Sequence, residues 1–145
     1  MKNKGFTLVE LITTFALTSA LIVILTNIVL IIKDVYVKYN VKTELLIKQG
    51  TFNQVVNSKI ENGKLVSNSS CGNNCYQFVL ADATYELKIE NDKIMFGDYI
   101  YEKVSGSTIG DMIVTTSNGY LNIQIPITNK LFEDDDFGLN LVYIE

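Results

Sequence analysis

Glu10 is the only ionisable residue between Phe6 and Ile32, and it stands at the edge of an apolar run whose next charge is Lys33. A carboxylate entering hydrocarbon costs ~2.5 kcal/mol or more, so Glu10 calls for a cationic partner. A cut after Gly5 would create one. The new Phe6 α-amine would be a charge at the tip of the same helix, positioned to meet the Glu10 carboxylate of a neighbouring helix, and the pair removes two desolvation costs together.

The remaining side chains offer little for catalysis. The chain has no His, and all 12 of its cations are Lys. Ser-His hydrolases and zinc sites that need imidazole are therefore excluded, as is a bidentate Arg clamp for phosphate or carboxylate. No Gly-rich phosphate loop occurs, and no nucleophile has a base beside it. Cys71-Gly-Asn-Asn-Cys75 places two thiols across a turn, but the spacing is not Cys-x-x-Cys, and a metal site would lack two further thiol or imidazole ligands. Glu133-Asp134-Asp135-Asp136 lacks the alternate spacing and central Gly of a calcium loop and is read as a solvated acidic loop. No cofactor and no metal is expected. The net charge of -4 argues against non-specific nucleic-acid binding by the bulk surface.

These groups must be held by a helix and a sheet. At ~1.5 Å per residue the uncharged stretch from Leu11 to Ile32 covers the roughly 30 Å of a bilayer interior. Its Leu, Ile and Val content leaves no polar stripe; Ser19 and Asn27 are the polar interruptions. A cleaved secretory signal fits poorly, because the run is long and ends in Ile31-Ile32-Lys33-Asp34 without a small-residue cleavage site. Lysines on both sides of the span, Lys2 and Lys4 before it and Lys33, Lys38 and Lys42 after it, leave its orientation open.

From Lys33 to about Ser58 the pattern is amphipathic. Val37, Val41, Leu45, Phe52 and Val56 form one side, and Lys38, Lys42, Gln49 and Asn53 the other, with Gly50 a weak point. After Asn62-Gly63 the period becomes two. Strands are expected at 84–90, 93–96, 99–104, 112–116, 120–127 and 139–144, with turns at Asn91-Asp92, Gly97-Asp98 and Ser117-Asn118-Gly119. Pro126 is expected at an edge or strand end. Tyr99, Tyr101 and Tyr120 are read as sheet packing, with outward stacking on bases or sugars as the alternative. The fold class is α+β: a long N-terminal helix whose amphipathic half packs on a C-terminal antiparallel sheet.

Lys4-Gly5-Phe6-Thr7-Leu8-Val9-Glu10, with its short basic leader and long apolar run, resembles the prepilin leader and N-terminal helix of type IV pilins and of type II secretion or competence pseudopilins. The resemblance implies a prepilin peptidase cut between Gly5 and Phe6 on the cytoplasmic side, N-methylation of Phe6, and a role for Glu10 in aligning subunits. It divides the chain into a leader (1–5), a transmembrane and assembly half of the helix (6–32), an amphipathic half (33–58) and a sheet head (59–145). It implies a structural subunit and not an enzyme, stored in the bacterial cytoplasmic membrane with its N-terminus cytoplasmic and then added to a surface or envelope-spanning fibre. The implied partners are the membrane, the peptidase, other pilin or pseudopilin subunits and the assembly platform, with DNA bound only through the assembled fibre. A membrane-anchored extracytoplasmic binding domain that never polymerises is the competing class. Because the resemblance places the head outside the cytoplasmic membrane, a disulfide between Cys71 and Cys75 is expected, with free thiols as the alternative. Family members often carry a Gly or Pro within the apolar segment, and this chain has neither.

Overall fold

The computed structural model describes residues 7–132 and 137–144. Helix α1 runs from Leu8 to Gly63. It passes the expected end near Ser58 because Asn62 and Gly63 are still helical, and the chain turns only at Lys64, whose φ of 51° is left-handed. Gly63 is required there: a Cβ at this position would come within 2.4 Å of the Leu80 side chain, and the Gly63 carbonyl accepts from Ala81 N at 3.0 Å. The chain forms two compact units, one ending at Asn40 and one beginning at Val41.

The first unit is helical from Leu8, and all of its described side chains are exposed. The mean hydropathy of its most apolar window is 2.6, and α1 is long and apolar enough to cross a membrane. Val37, expected in the core, belongs to this unit and is 44% exposed.

In the second unit α1 buries Leu45, Gln49, Phe52, Val56, Ile60 and Gly63, a stripe at spacings of three and four that continues from the half-buried Val41. Gln49 was expected on the polar side but lies on this stripe, since the period leaves it nowhere else to go. Five strands follow as a meander: β1 (Leu65–Gly72), β2 (Cys75–Leu80), β3 (Thr84–Glu90), β4 (Lys93–Phe96) and β5 (Tyr99–Glu102). A second antiparallel sheet holds β6 (Ser107–Ile109), β7 (Ile113–Ser117), β8 (Tyr120–Asn129) and β9 (Phe137–Ile144), with β8 paired to the other three. The head thus has two sheets where one was expected. Two apolar faces need each other: Leu121, Ile123, Ile125 and Ile127 of β8 share one core with Phe78, Leu87, Ile94 and Phe96 of the first sheet and with the helix stripe. Phe52 sits at its centre, 5.7 Å from the Tyr99 ring and 6.0 Å from the Tyr101 ring.

The Asn91-Asp92 and Asn118-Gly119 turns have positive φ at each central position, 51° and 60° in the first and 53° and 77° in the second, which suits the right-handed twist of the flanking strands. Pro126 lies inside β8 and not at a strand end. On one side it pairs with Gly138 of β9; on the other it falls between the register of β7, which stops at Gln124, and that of β6, which starts at Ile127. Its carbonyl accepts from Gly110 N at 2.8 Å on that second side, so the missing donor faces the gap between two short strands and breaks no ladder. Tyr101 is buried, Tyr99 is half-buried and Tyr120 is half-exposed on the outer face of the second sheet.

Candidate functional site

Thr7 and Glu10 together build the start of α1. Thr7 Oγ1 accepts from Glu10 N at 3.3 Å, while Glu10 Oε2 accepts from Thr7 N and from Thr7 Oγ1, each at 3.0 Å. This is a capping box, in which the side chains of the cap residue and of the third helical residue satisfy each other's orphan donors. The Glu10 carboxylate therefore has partners within its own chain. The signal was present in the sequence as Thr-x-x-Glu ahead of an apolar run.

Beyond the cap, every Ser and Thr hydroxyl up to Ile32 bonds back to the helix. Thr13 and Thr14 donate to Glu10 O at 3.0 and 2.8 Å, Thr18 donates to Thr14 O, Ser19 donates to Ala16 O at 2.8 Å, and Thr26 donates to Ile22 O at 2.8 Å. Thr7, Glu10, Thr14 and Thr18 fall on one face of the helix, a short line of polar groups where none was expected. Leu11, Ile12 and Phe15 flank it, lining with Thr14 and Thr18 a shallow open groove.

Residues 1–26 match the family model described as the prokaryotic N-terminal methylation motif. The chain carries a prepilin signature. Comparisons with curated proteins and with solved structures each give no match. The signature is that of type IV pilins and pseudopilins, and it supports a type IV pilin-like prepilin, a structural protein processed by prepilin peptidase and associated with the membrane. Of the three positions that the prepilin reading assigns to processing and assembly, Glu10 is the third residue of α1, whereas Gly5 and Phe6 lie outside the described residues.

In the head of this prepilin-type chain, Cys71 and Cys75 close a ring over the β1–β2 turn, with their Cα atoms 5.2 Å apart and their sulfurs bonded. The pairing of Gly72 with Cys75 leaves Cys71 in a register shift of β1, and Asn74 takes a φ of 54°. That conformation aims the Asn74 amide at the second sheet. Its Nδ2 donates to Asp111 Oδ1 and its Oδ1 accepts from Met112 N, both at 2.8 Å, while its carbonyl accepts from Ile89 N at 2.9 Å. Ser70, Asn74, Cys75, Asp111, Met112 and Val114 line a mostly polar cleft of about 400 Å³ beside this junction. The cleft offers hydrogen-bonding groups and one carboxylate. It offers no acid-base pair and no activated nucleophile. Nothing in the sequence marks Asn74 or Asp111, which are one Asn among several and an isolated Asp. The acidic run Glu133–Asp136 lies outside the described residues.

Proposed function

We propose that this chain is a structural subunit, a minor pilin or pseudopilin, of a type IV pilus-like, competence or type II secretion-like fibre, and that it has no enzymatic activity of its own. The observation that carries the reading is the methylation motif over residues 1–26, continuous with a helix long and apolar enough to span a bilayer. In this reading residues 1–5 are a leader removed by prepilin peptidase between Gly5 and Phe6, and Phe6 becomes the N-methylated terminus. Residues 6–32 are the membrane and assembly half of the helix; residues 33–58 and 59–145 make the exported head. The N-terminus is cytoplasmic before assembly, and the mature subunit moves to a surface or envelope-spanning fibre through the assembly platform. Glu10 pairs with the Phe6 amine of an adjacent subunit, and Cys71 and Cys75 are oxidised in the exported head. The deciding experiment is the mass of the N-terminal peptide from native protein: a methylated Phe6 is expected, and an intact Met1 terminus overturns the reading.

One observation favours a second reading, an anchored domain that does not polymerise. The capping box satisfies the Glu10 carboxylate within its own chain, so the residue has a use without a neighbour. Glu10→Gln separates the two, because Gln completes a capping box but cannot pair with an amine as an ion.

A further inference from the structure

The head has an open strand edge that lacks the usual protections. Strand β7, Ile113-Val-Thr-Thr-Ser117, pairs only with β8, is exposed at all five positions, and makes no backbone bond on its other side among the described residues. Natural sheets blunt such edges with charge, bulges, brevity or cover. Three of the other edges of this head, β1, β5 and β6, show those devices. β1 is broken by two register shifts and tied by the Cys71–Cys75 ring. β5 carries Glu102, whose carbonyl accepts from Lys48 of the helix. β6 has three residues. β9 carries no charged side chain from Phe137 to Ile144, but acidic residues flank it in sequence on both sides, Glu133–Asp136 and Glu145. From Met112 through Asn129, by contrast, no side chain is charged, in a chain of net charge -4. Val114 pairs with the fully buried Ile123 and so turns to the core side of its sheet, yet it stays 39% exposed beside the cleft at Asn74.

We propose that β7 is a self-association edge that takes the β7 of a second copy of this chain in antiparallel register about Thr115. The sequence suits a two-fold pairing. Thr115 faces itself, Val114 faces Thr116 and Ile113 faces Ser117, so β-branched and hydroxyl side chains meet and cover Val114 from both copies. Asp111, the nearest charge, falls opposite Gly119 and meets no like charge. Elsewhere two copies with the same negative balance repel; on this edge they do not. Five residue pairs make a weak contact in dilute solution, and a shared membrane supplies the effective concentration that turns it into a populated dimer. The proposal does not depend on the fibre reading.

The test is site-directed crosslinking of the full chain in membranes. With Cys71 and Cys75 replaced by Ser, Thr115→Cys is expected to form a covalent dimer on mild oxidation, because directly opposed Cα atoms lie about 4.5–5.5 Å apart, within disulfide reach. Its yield should exceed that of Gln124→Cys, on the central strand, by about tenfold. Ile113→Cys and Ser117→Cys should crosslink to each other in a mixture but not each to itself. A photo-crosslinking side chain at 115, with both native cysteines intact, should give the same dimer and so covers failure of the Ser background to fold. Equal yields at 115 and 124, self-crosslinking at 113, or photo-adducts only to other proteins would each overturn the proposal. In a Glu10→Ala chain kept out of fibres the 115 crosslink should persist, which separates this proposal from the assembly mechanism.

Discussion

Asn74 donates from its amide Nδ2 to the Asp111 carboxylate at 2.8 Å, linking the β1–β2 turn to the segment ahead of β7, and the oxygen of that amide accepts from Met112 N. The neutral amide is the necessary group, since it must donate to one partner and accept from the other. Asn74→Asp keeps the acceptor for Met112 N but sets two carboxylates against each other. It should lower stability by up to about 1 kcal/mol at neutral pH, because the pair is exposed, and adding Asp111→Asn should recover much of that loss. Chemical denaturation of the four variants of this cycle measures the coupling.

Glu10→Ala should leave the amount of protein in the membrane unchanged, because it removes a charge from an apolar helix. In the assembly proposed above it should remove the subunit from sheared fibres. Glu10→Gln keeps the cap with Thr7 and loses the ionic pair, so it should fail in fibres as Ala does. Wild-type fibre levels for Gln would show that the cap alone is what Glu10 supplies.

Gly50 is the weak point of the amphipathic half of α1, and a Cβ placed there meets nothing within 4 Å. Gly50→Ala should therefore raise stability by roughly 0.5–1 kcal/mol through helix propensity alone. A shift in the denaturation midpoint at constant slope would report it.

Burial pushes the Tyr101 hydroxyl up to about 12, with the Glu44 carboxylate adding to the shift, and burial likewise raises Tyr143, whose hydroxyl donates to Asn57. The folded state thus holds both phenolic protons more tightly than the unfolded chain, whose tyrosines titrate near 10. The stability this confers is complete below pH 10 and falls as pH rises from 10 through 12. Tyr101→Phe should flatten that fall. It should cost little at pH 7, because the Tyr101 hydroxyl is buried without a partner among the described residues. Thermal melts from pH 8 to 12 provide the comparison.

Gly5→Val should block leader removal if the junction is cut as proposed, since a side chain at the scissile position prevents the close backbone approach that Gly permits. Immunoblots with the matching peptidase should show a single unprocessed band, against complete conversion of the wild type.

Legibility in the sequence followed the strength of periodicity. Tyr85, Leu87 and Ile89 alternate with polar neighbours, and Asn91-Asp92 marks the turn, so β3 and β4 could be read with their ends. β8 and its Asn118-Gly119 turn were equally plain, although the strand runs on to Asn129. β1 gave no such signal. Its Ser-Asn-Ser-Ser run has weak strand propensity and is ordered by pairing with β2 and by the Tyr76 hydroxyl, which donates to Asn68 Oδ1 at 2.6 Å. β6 is too short to show a period. At the N-terminus the motif points to Glu10 directly, and the bond of Glu10 to Thr7 is legible as well, as Thr-x-x-Glu ahead of an apolar run. The Asn74–Asp111 contact joins residues far apart in the chain, and no spacing rule reaches across that distance.

The back-bonded hydroxyls of α1 bear on how the helix would exchange lipid for a packed neighbour in the assembly proposed above. Thr13, Thr14, Thr18, Ser19 and Thr26 have already spent their donors on their own backbone, so contact with an acyl chain strands none of them, and contact with another protein requires none to be released. Such a surface is nearly indifferent to the choice between lipid and a packed neighbour. In the assembly proposed above, passage from one to the other would then be governed by fit, by the Asn27 amide and by the single carboxylate at the cap.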